Sequence, residues 1–465
     1  MIIKNVCCIG AGYVGGPTMA VIAHECPEIQ VYVVDYDENK IHNWNNVNLD
    51  KLPVYEPGLK ELVKKTRNKN LFFSSDVDNA IENAEIIFIA VNTPTKINGE
   101  GKGYAADLTN IEKCSKRIAE VSKDTKIIVE KSTLPVRTAE KIREVLKSNS
   151  NGIKYEVLSN PEFLAEGTAI KDLYKSDRVL VGSENTKSGI NALNTLTSIY
   201  ERWIPKNKIL KTSVWSAELS KLASNAMLAQ RISSINSLSA LCEKSGASIQ
   251  EVSKAIGLDK RIGEEFLKAS PGFGGSCFQK DILNLVYLSR NYGLYEVADY
   301  WEQVIKINNY QKNRFSKKVI EHFNNNLREI SISILGWSFK KNTNDSRESA
   351  SIYVCRDLLL SEAQVHIYDP MVSNERITSD LKGLFSIQGI GKSEIQKLIS
   401  NVFVYDNIYN SILNSKAILI LTEWDEFKSF NWTQFFDKSK SNSFIFDARN
   451  IIDKSITQNI YSIGN

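Results

Sequence analysis

Histidine is scarce: four are spread over 465 residues, His24, His42, His322 and His366, and none lies in a motif. A histidine proton relay or a histidine-ligated zinc site is therefore not expected. Acid–base work must fall to Glu, Asp, Lys or Thr. The seven cysteines, at 7, 8, 26, 114, 242, 277 and 355, are odd in number, and no pair has metal-ligand spacing. They read as reduced thiols, most of them small buried hydrophobes, and no metal is expected. Long apolar runs are also missing. Nothing approaches the roughly 20 residues of a membrane span, so no membrane association is expected. Met1–Lys4 leads straight into a strand pattern, which reads as no secretory leader and a cytoplasmic location. Charge of one sign is not in excess. The net charge of +4 comes from 58 basic and 54 acidic residues, which gives no footprint for nucleic acid.

An apolar content of 42% and a charged content of 24% describe a globular chain, and its length calls for two or three domains. Residues 5–9 read as a buried strand, a glycine-rich turn follows, a helix runs from 16 to 25, and Val31–Val34 forms a second strand ending at Asp35. Apolar runs recur at 85–91, 126–130 and 155–158, with helical segments between them. From 213 to 325 strand signals give way to helical stripes, one through Trp215, Leu219, Leu222, Ala226, Ala229 and Ile232. Such long helices either connect domains and form dimer contacts or only fill a core. Strand–helix alternation returns at Ile332–Leu335, Val365–Tyr368, Ala417–Leu421 and Phe444–Asp447, while 371–400 reads as an irregular polar insertion. The expected fold is α/β. Two Rossmann-like, doubly wound parallel-sheet domains (1–212 and 326–465) are joined by a helical central domain (213–325).

Gly10, Gly12 and Gly15 follow the first strand in the spacing that allows a tight turn, close pyrophosphate approach and close helix packing. Asp35 is placed to accept from both ribose hydroxyls and to repel a 2′-phosphate, so the cofactor is expected to be NAD. Val91-Asn-Thr-Pro-Thr95 and Glu130-Lys-Ser-Thr133-Leu-Pro-Val-Arg137 follow later strands and face the same crevice, where Thr133 is placed to hold a water. Asn160-Pro161-Glu162 reads as a helix start with Asn160 as N-cap, which would set Glu162 and Glu166 on one face. Carboxylates in a first helical turn also have an ordinary explanation in the helix dipole. Lys221 and Asn225 lie four apart in an apolar stretch. Either the lysine is buried with a partner or it reaches solvent along its stem. Lys340, Lys341 and Arg347, with Arg261 and Lys268, form a cation set suited to a second pyrophosphate, though each alone is an ordinary surface charge. Cys277 follows three clustered glycines and precedes Lys280 and Asp281, a setting in which a thiol becomes a nucleophile that substrate approaches closely.

These residues bear a resemblance that covers nearly the whole chain. Gly10–Pro17, Leu52–Leu59, Val91–Lys96, Glu130–Arg137, Ser159–Leu173, Glu218–Leu222, Gln230–Asn236, Phe266–Tyr287 and Thr422–Asp425 match, in order, the UDP-glucose 6-dehydrogenases of the UDP-glucose/GDP-mannose dehydrogenase family. The chain resembles the animal-type members most. The resemblance implies a four-electron oxidation of UDP-glucose to UDP-glucuronate with two NAD, through a thiohemiacetal and a thioester. It implies that Cys277 is the nucleophile, that Glu162 serves thioester hydrolysis, and that Lys221 stabilises the oxyanion. Asp281 and Thr133 would hold a water for the first oxidation. Cofactor contacts carried over are Gly10, Gly12, Gly15, Asp35, Lys40, Val91, Thr93, Thr95, Ser132, Glu166 and Arg347. Substrate contacts carried over are Phe163, Leu164, Asn225, Arg261, Lys268, Phe273, Gly274, Lys340 and Arg449, the last from its own or a neighbouring subunit. Homo-oligomers, dimers or hexamers, are implied. Lys40 departs from an Arg in animal members, and Trp337 from a Phe beside the substrate lysine. The sequence ends at Asn465 without the long polar tail of animal members. A catalytically dead nucleotide-sugar sensor and a two-electron alcohol dehydrogenase remain as competing readings.

Overall fold

The computed structural model describes residues 3–150, 152–439 and 442–465, and the chain divides into two compact units. The first, Met1–Ser224 with Leu283–Gly293, is built on an eight-stranded sheet. Its strands are β1 (Asn5–Ile9), β2 (Gln30–Val34), β3 (Leu71–Ser74), β4 (Ile86–Ile89), β5 (Lys126–Glu130), β6 (Tyr155–Ser159), β7 (Val179–Ser183) and β8 (Ile209–Ser213). The order is β3-β2-β1-β4-β5-β6-β7-β8. The central strands are apolar throughout because both faces are covered. In β1, Val6 and Cys8 join one core while Cys7 and Ile9 join the other. Pairing is parallel except at β6–β7, so the expectation of a parallel sheet holds for β1–β6 and the β7–β8 pair runs against them. The chain order reverses between β1 and β4, which puts the residues after β1, β4, β5 and β6 at one carboxyl edge beside a switch point.

Trp44 locks the first crossover. Its ring is fully buried, stacks on Phe73 at 4.5 Å, and donates Nε1 to the Ala11 carbonyl at 2.9 Å. The ring also fills the space over Gly16, where a Cβ would come within 2.3 Å of Trp44 Cζ2. Gly16→Ala is therefore expected to destabilise the first unit by about 1–3 kcal/mol, read as a lower midpoint in thermal unfolding.

The second unit, Asn225–Ile282 with Leu294–Asn465, holds a six-stranded parallel sheet. Its strands are β9 (Ser331–Leu335), β10 (Gln364–Tyr368), β11 (Val402–Val404), β12 (Ala417–Ile420), β13 (Phe444–Asp447) and β14 (Ile460–Ser462), in the order β11-β10-β9-β12-β13-β14. Between the two sheets in sequence lie the helices Val214–Ser245, Ile249–Gly257, Phe278–Asn291 and Tyr295–His322. The apolar stripe on Val214–Ser245 is split: Leu222, Ala226 and Ala229 are buried, whereas Trp215 and Leu219 are exposed.

Residues 371–400 are not an irregular insertion. They form the helices Asn374–Ile387 and Lys392–Ile399, the first capped by Ser373, whose side chain accepts from Arg376 N. Only Ile377, Leu381 and Phe385, spaced four apart, bury the first of these helices. So narrow a stripe is easily lost among polar residues.

Candidate active site

The three glycines after β1 differ in what surrounds them. Gly10 has φ +114°, and a Cβ there would lie 2.5 Å from the Ala90 carbonyl. A Cβ at Gly15 would lie 2.0 Å from the Gly10 carbonyl. Gly12 meets nothing within 4 Å, so it lies at the open position where a pyrophosphate would come close. Asp35, at the end of β2, accepts from Ala11 N at 3.0 Å and from Lys40 Nζ at 2.8 Å through Oδ2, and from Asp37 N at 3.1 Å through Oδ1. Burial pushes its carboxyl up, but Lys40 and the two amides outweigh this and hold it below the usual range. An ionised acid and an open glycine cradle fit a dinucleotide with free ribose hydroxyls. The lysine at position 40 thus engages the same carboxylate that would hold the ribose.

The next two crevice loops are stitched together. Thr93 donates Oγ1 to the Thr133 carbonyl at 3.1 Å, and Ser132 donates Oγ to the Val91 carbonyl at 2.7 Å. Thr95 bridges to Ala106. Glu218, to which sequence reading gave no role, clamps this segment: Oε2 accepts from Arg137 N at 2.7 Å and Oε1 from Ala139 N at 2.8 Å. It thereby supplies the N-terminal cap of the helix Thr138–Asn149, which has none of its own. Burial, then the neighbouring Glu218 carboxylate, pushes Glu130 well above the carboxylate range.

Asn160 does not start a helix. The chain after β6 stays irregular until the helix Ala169–Tyr174, so Glu162 and Glu166 do not share a helical face. Asn160 Nδ2 instead donates to the Leu180 carbonyl at 2.8 Å, and Glu162 Oε2 accepts from Leu164 N at 2.8 Å. Glu162 Oε1 lies 3.5 Å from Lys221 Nζ, with both side chains at most 10% exposed. Of the two alternatives for Lys221, the buried and partnered one holds. Its Nζ also lies 5.4 Å from the centre of the Phe163 ring, which Arg178 covers at 3.9 Å. The adjoining turn that carries Glu166 is held by Glu56, whose carboxylate accepts from Gly167 N at 2.7 Å and Ala169 N at 3.1 Å.

In the second unit, Cys277 stands immediately before the helix Phe278–Asn291, and its carbonyl accepts from Asp281 N at 2.9 Å. It is the one cysteine of seven that is not buried. By contrast, burial pushes the Cys8 thiol up to about 12. A helix N-terminus and a nearby cation favour a thiolate. Lys280 supplies the cation. Burial works against its charge, but Asp281 and Cys277 prevail and raise its pKa. Asp281 is buried between Lys280 Nζ at 2.8 Å and Asn225 Nδ2 at 2.6 Å.

The glycines before Cys277 serve packing rather than open approach. A Cβ at Gly272 would lie 2.8 Å from Asn308 Oδ1, and one at Gly274 would lie 2.6 Å from the Glu348 carbonyl. The loop is tied down by three amides that sequence reading passed over. Asn236 Oδ1 accepts from Ser270 N, Gln311 Nε2 donates to the Ser270 carbonyl, and Asn308 Oδ1 accepts from Phe273 N. Phe273 is buried, edge-on to Phe278.

The remaining cations are spread over the second unit. Arg449 donates to the Leu421 carbonyl at 2.7 Å and the Phe339 carbonyl at 3.2 Å, and Lys340 Nζ lies 5.5 Å from the Phe339 ring. Arg449 and Lys340 thus gather near Phe339. Arg347 pairs with Asp345 at 2.6 Å, while Arg261 is exposed and pairs with Asp259, and Lys268 is exposed. Trp337 is fully buried and donates Nε1 to Asp380 at 3.0 Å. Asp369, which ends β10 as Asp35 ends β2, is consumed internally. Its Oδ2 accepts from Trp337 N, Ser338 N and Trp424 Nε1. Among the described residues no cluster of three or more His, Cys, Asp or Glu side chains suits a metal ion. No helix among them is long and apolar enough to cross a membrane.

Comparison with known proteins agrees with this division of labour. Three models of the UDP-glucose/GDP-mannose dehydrogenase family match in succession: the NAD binding domain over residues 4–204, the central domain over 215–310 and the UDP binding domain over 333–454. UDP-glucose 6-dehydrogenase 4 of Arabidopsis thaliana is 52% identical over 99% of this chain and 97% of its own. UDP-glucose 6-dehydrogenase of Drosophila melanogaster is 54% identical over 98% of this chain and 94% of its own. A UDP-glucose dehydrogenase structure from Pyrobaculum islandicum superposes with a TM-score of 0.84 at 27% identity, covering 100% of this chain and 98% of that one. With an open glycine cradle and an ionised Asp35 in one unit and an accessible thiol at a helix N-terminus in the other, the chain belongs to the UDP-glucose/GDP-mannose dehydrogenase family.

Proposed function

We propose that this protein oxidises UDP-glucose to UDP-glucuronate by two successive two-electron steps, with Cys277 as the covalent anchor. The observation that carries the reading is the accessibility of Cys277 at a helix N-terminus beside Lys280, while the six other thiols are buried. Gly10, Gly12, Gly15, Asp35, Lys40, Val91, Thr93, Thr95, Ser132, Glu166 and Arg347 would hold NAD, which when bound supplies the electron acceptor for both oxidations. Thr133 and Asp281 position the water that takes the proton of the C6 hydroxyl in the first step. The Cys277 thiolate adds to the aldehyde carbon, and the resulting oxyanion is stabilised by Lys221, a fixed buried cation. After the second oxidation the carbon is a thioester. Glu162 activates water to hydrolyse it, releasing the acid and returning the thiol. Phe163, Leu164, Asn225, Arg261, Lys268, Phe273, Gly274, Lys340 and Arg449 would hold the nucleotide-sugar.

Covalent capture has a physical purpose: a dissociable aldehyde would leak before the second oxidation. The same reading implies a cytoplasmic homo-oligomer, a dimer or a hexamer. Exposed Trp215, Leu219, Met227 and Leu241 on the helix Val214–Ser245 support an assembly surface. The substrate test is a side-by-side assay of UDP-glucose, UDP-N-acetylmannosamine and GDP-mannose. UDP-glucose is expected to give the highest kcat/KM for NADH formation. A higher value with either of the others would overturn the choice of sugar, and no NADH with any of them would favour a nucleotide-sugar sensor.

A further inference from the structure

Behind Glu162 lies a second buried lysine that the reaction above does not use. Lys131, just past β5, is only 4% exposed. Its Nζ lies 3.2 Å from Asn160 Oδ1, 3.5 Å from the Tyr200 hydroxyl, and 5.8 Å from the centre of the Tyr200 ring. Tyr200 donates its hydroxyl to the same Asn160 Oδ1 at 2.6 Å. Asn160 Oδ1 thus accepts from both side chains, while Nδ2 donates to the Leu180 carbonyl. Its backbone N also donates to the Glu130 carbonyl at 3.0 Å. Asn160 is therefore pinned from β5, from β7 and from the helix Lys187–Tyr200. Two residues on, the chain carries Glu162.

We infer that Lys131 is a positioning residue for Glu162: with Tyr200 it fixes Asn160, from which the Glu162 turn departs. The inference rests on the reading of Glu162 as the group that activates water. The charged and titratable groups around Lys131 are Glu162, Lys221, Cys8 and Tyr200. Burial raises both the Cys8 thiol and the Tyr200 hydroxyl, which keeps them neutral. Glu162 is the carboxyl among these groups, and no carboxylate pairs directly with Lys131. Burial, followed by repulsion from Lys221 and opposed by Glu162, takes the Lys131 ammonium down to about 8, so it stays charged through neutral pH.

The test is Lys131→Gln, which removes the charge and keeps a polar side chain, assayed with UDP-glucose and NAD, with intact mass of the protein under turnover. The first NADH per site is expected at close to the wild-type rate. Steady-state turnover should fall roughly tenfold. A sugar adduct should accumulate on Cys277 that wild type does not show. Tyr200→Phe keeps the charge and removes one Asn160 donor. It should accumulate adduct as well, and it serves if Lys131→Gln fails to fold. No adduct in the lysine variant, or none in Tyr200→Phe, would overturn the role. Equal slowing of both oxidations would do the same. If wild type gives two NADH per sugar and neither variant accumulates adduct, Lys131 alone is refuted. If wild type gives one, the underlying reading of Glu162 falls and this role falls with it.

Discussion

Cys277→Ser is expected to lower UDP-glucuronate formation by about three orders of magnitude or more. A serine hydroxyl needs a base to become a nucleophile, and none of the four histidines is placed to serve. His24 bonds Glu25 and Tyr174, His42 is exposed on the helix Glu38–Asn45, His322 packs on Phe444, and His366 packs on Phe403 and Tyr405. The helix N-terminus and Lys280 favour a thiolate but do too little for an alcohol, whose proton is far harder to remove. The first oxidation does not need the thiol, so the variant should still form some NADH while free aldehyde escapes. Cys277 is partly exposed, so the replacement should leave thermal unfolding nearly unchanged, and a loss of activity is then chemical. Acid production at the wild-type rate would refute covalent catalysis.

Glu162→Gln should stall the reaction one step later. Glutamine keeps the shape and can still accept from Leu164 N, but it cannot take a proton from water. Hydrolysis is expected to slow by about 100- to 10,000-fold. The protein should gain the mass of a uridine-diphosphate-glucuronosyl group on Cys277. Two NADH per site should appear in a burst, followed by almost none. Lys221 loses its buried counter-charge at the same time. An unmodified mass during turnover would remove Glu162 from the hydrolytic step.

These two residues also show what a sequence conveys and what it withholds. The thiol and the Gly10–Asp35 unit were legible because their signals are local: a turn directly after a strand, an acid at the end of the next, a cysteine ahead of a helix. The surroundings of Glu162 were misread because they are not local. Asn-Pro-Glu has the composition of a helix start, yet Asn160 finds its partners in Lys131, Leu180 and Tyr200. Those distant bonds outcompete capping. Likewise, the glycines before Cys277 suggested an open approach. Their real neighbours, Asn308 and the Glu348 carbonyl, lie far along the chain and fill the space where side chains would be. Glu218, Asn236, Asn308 and Gln311 look like ordinary polar residues within helices. Each is buried and holds a distant loop; helical periodicity places Asn308 on a buried stripe but says nothing of the loop it holds. The alternation of strands and helices carried the fold, whereas the short strands β3, β7, β8, β11 and β14 went unnoticed. With only three residues each, β11 and β14 give too little pattern to stand out from loops.

The central claim is that one sugar stays bound to Cys277 through both oxidations. Its most direct test is to count NADH against limiting UDP-glucose and identify the product. The account predicts two NADH for each UDP-glucose consumed, with UDP-glucuronate as the sole product and no aldehyde trapped by an external amine. One NADH per sugar, with free aldehyde in solution, would contradict it.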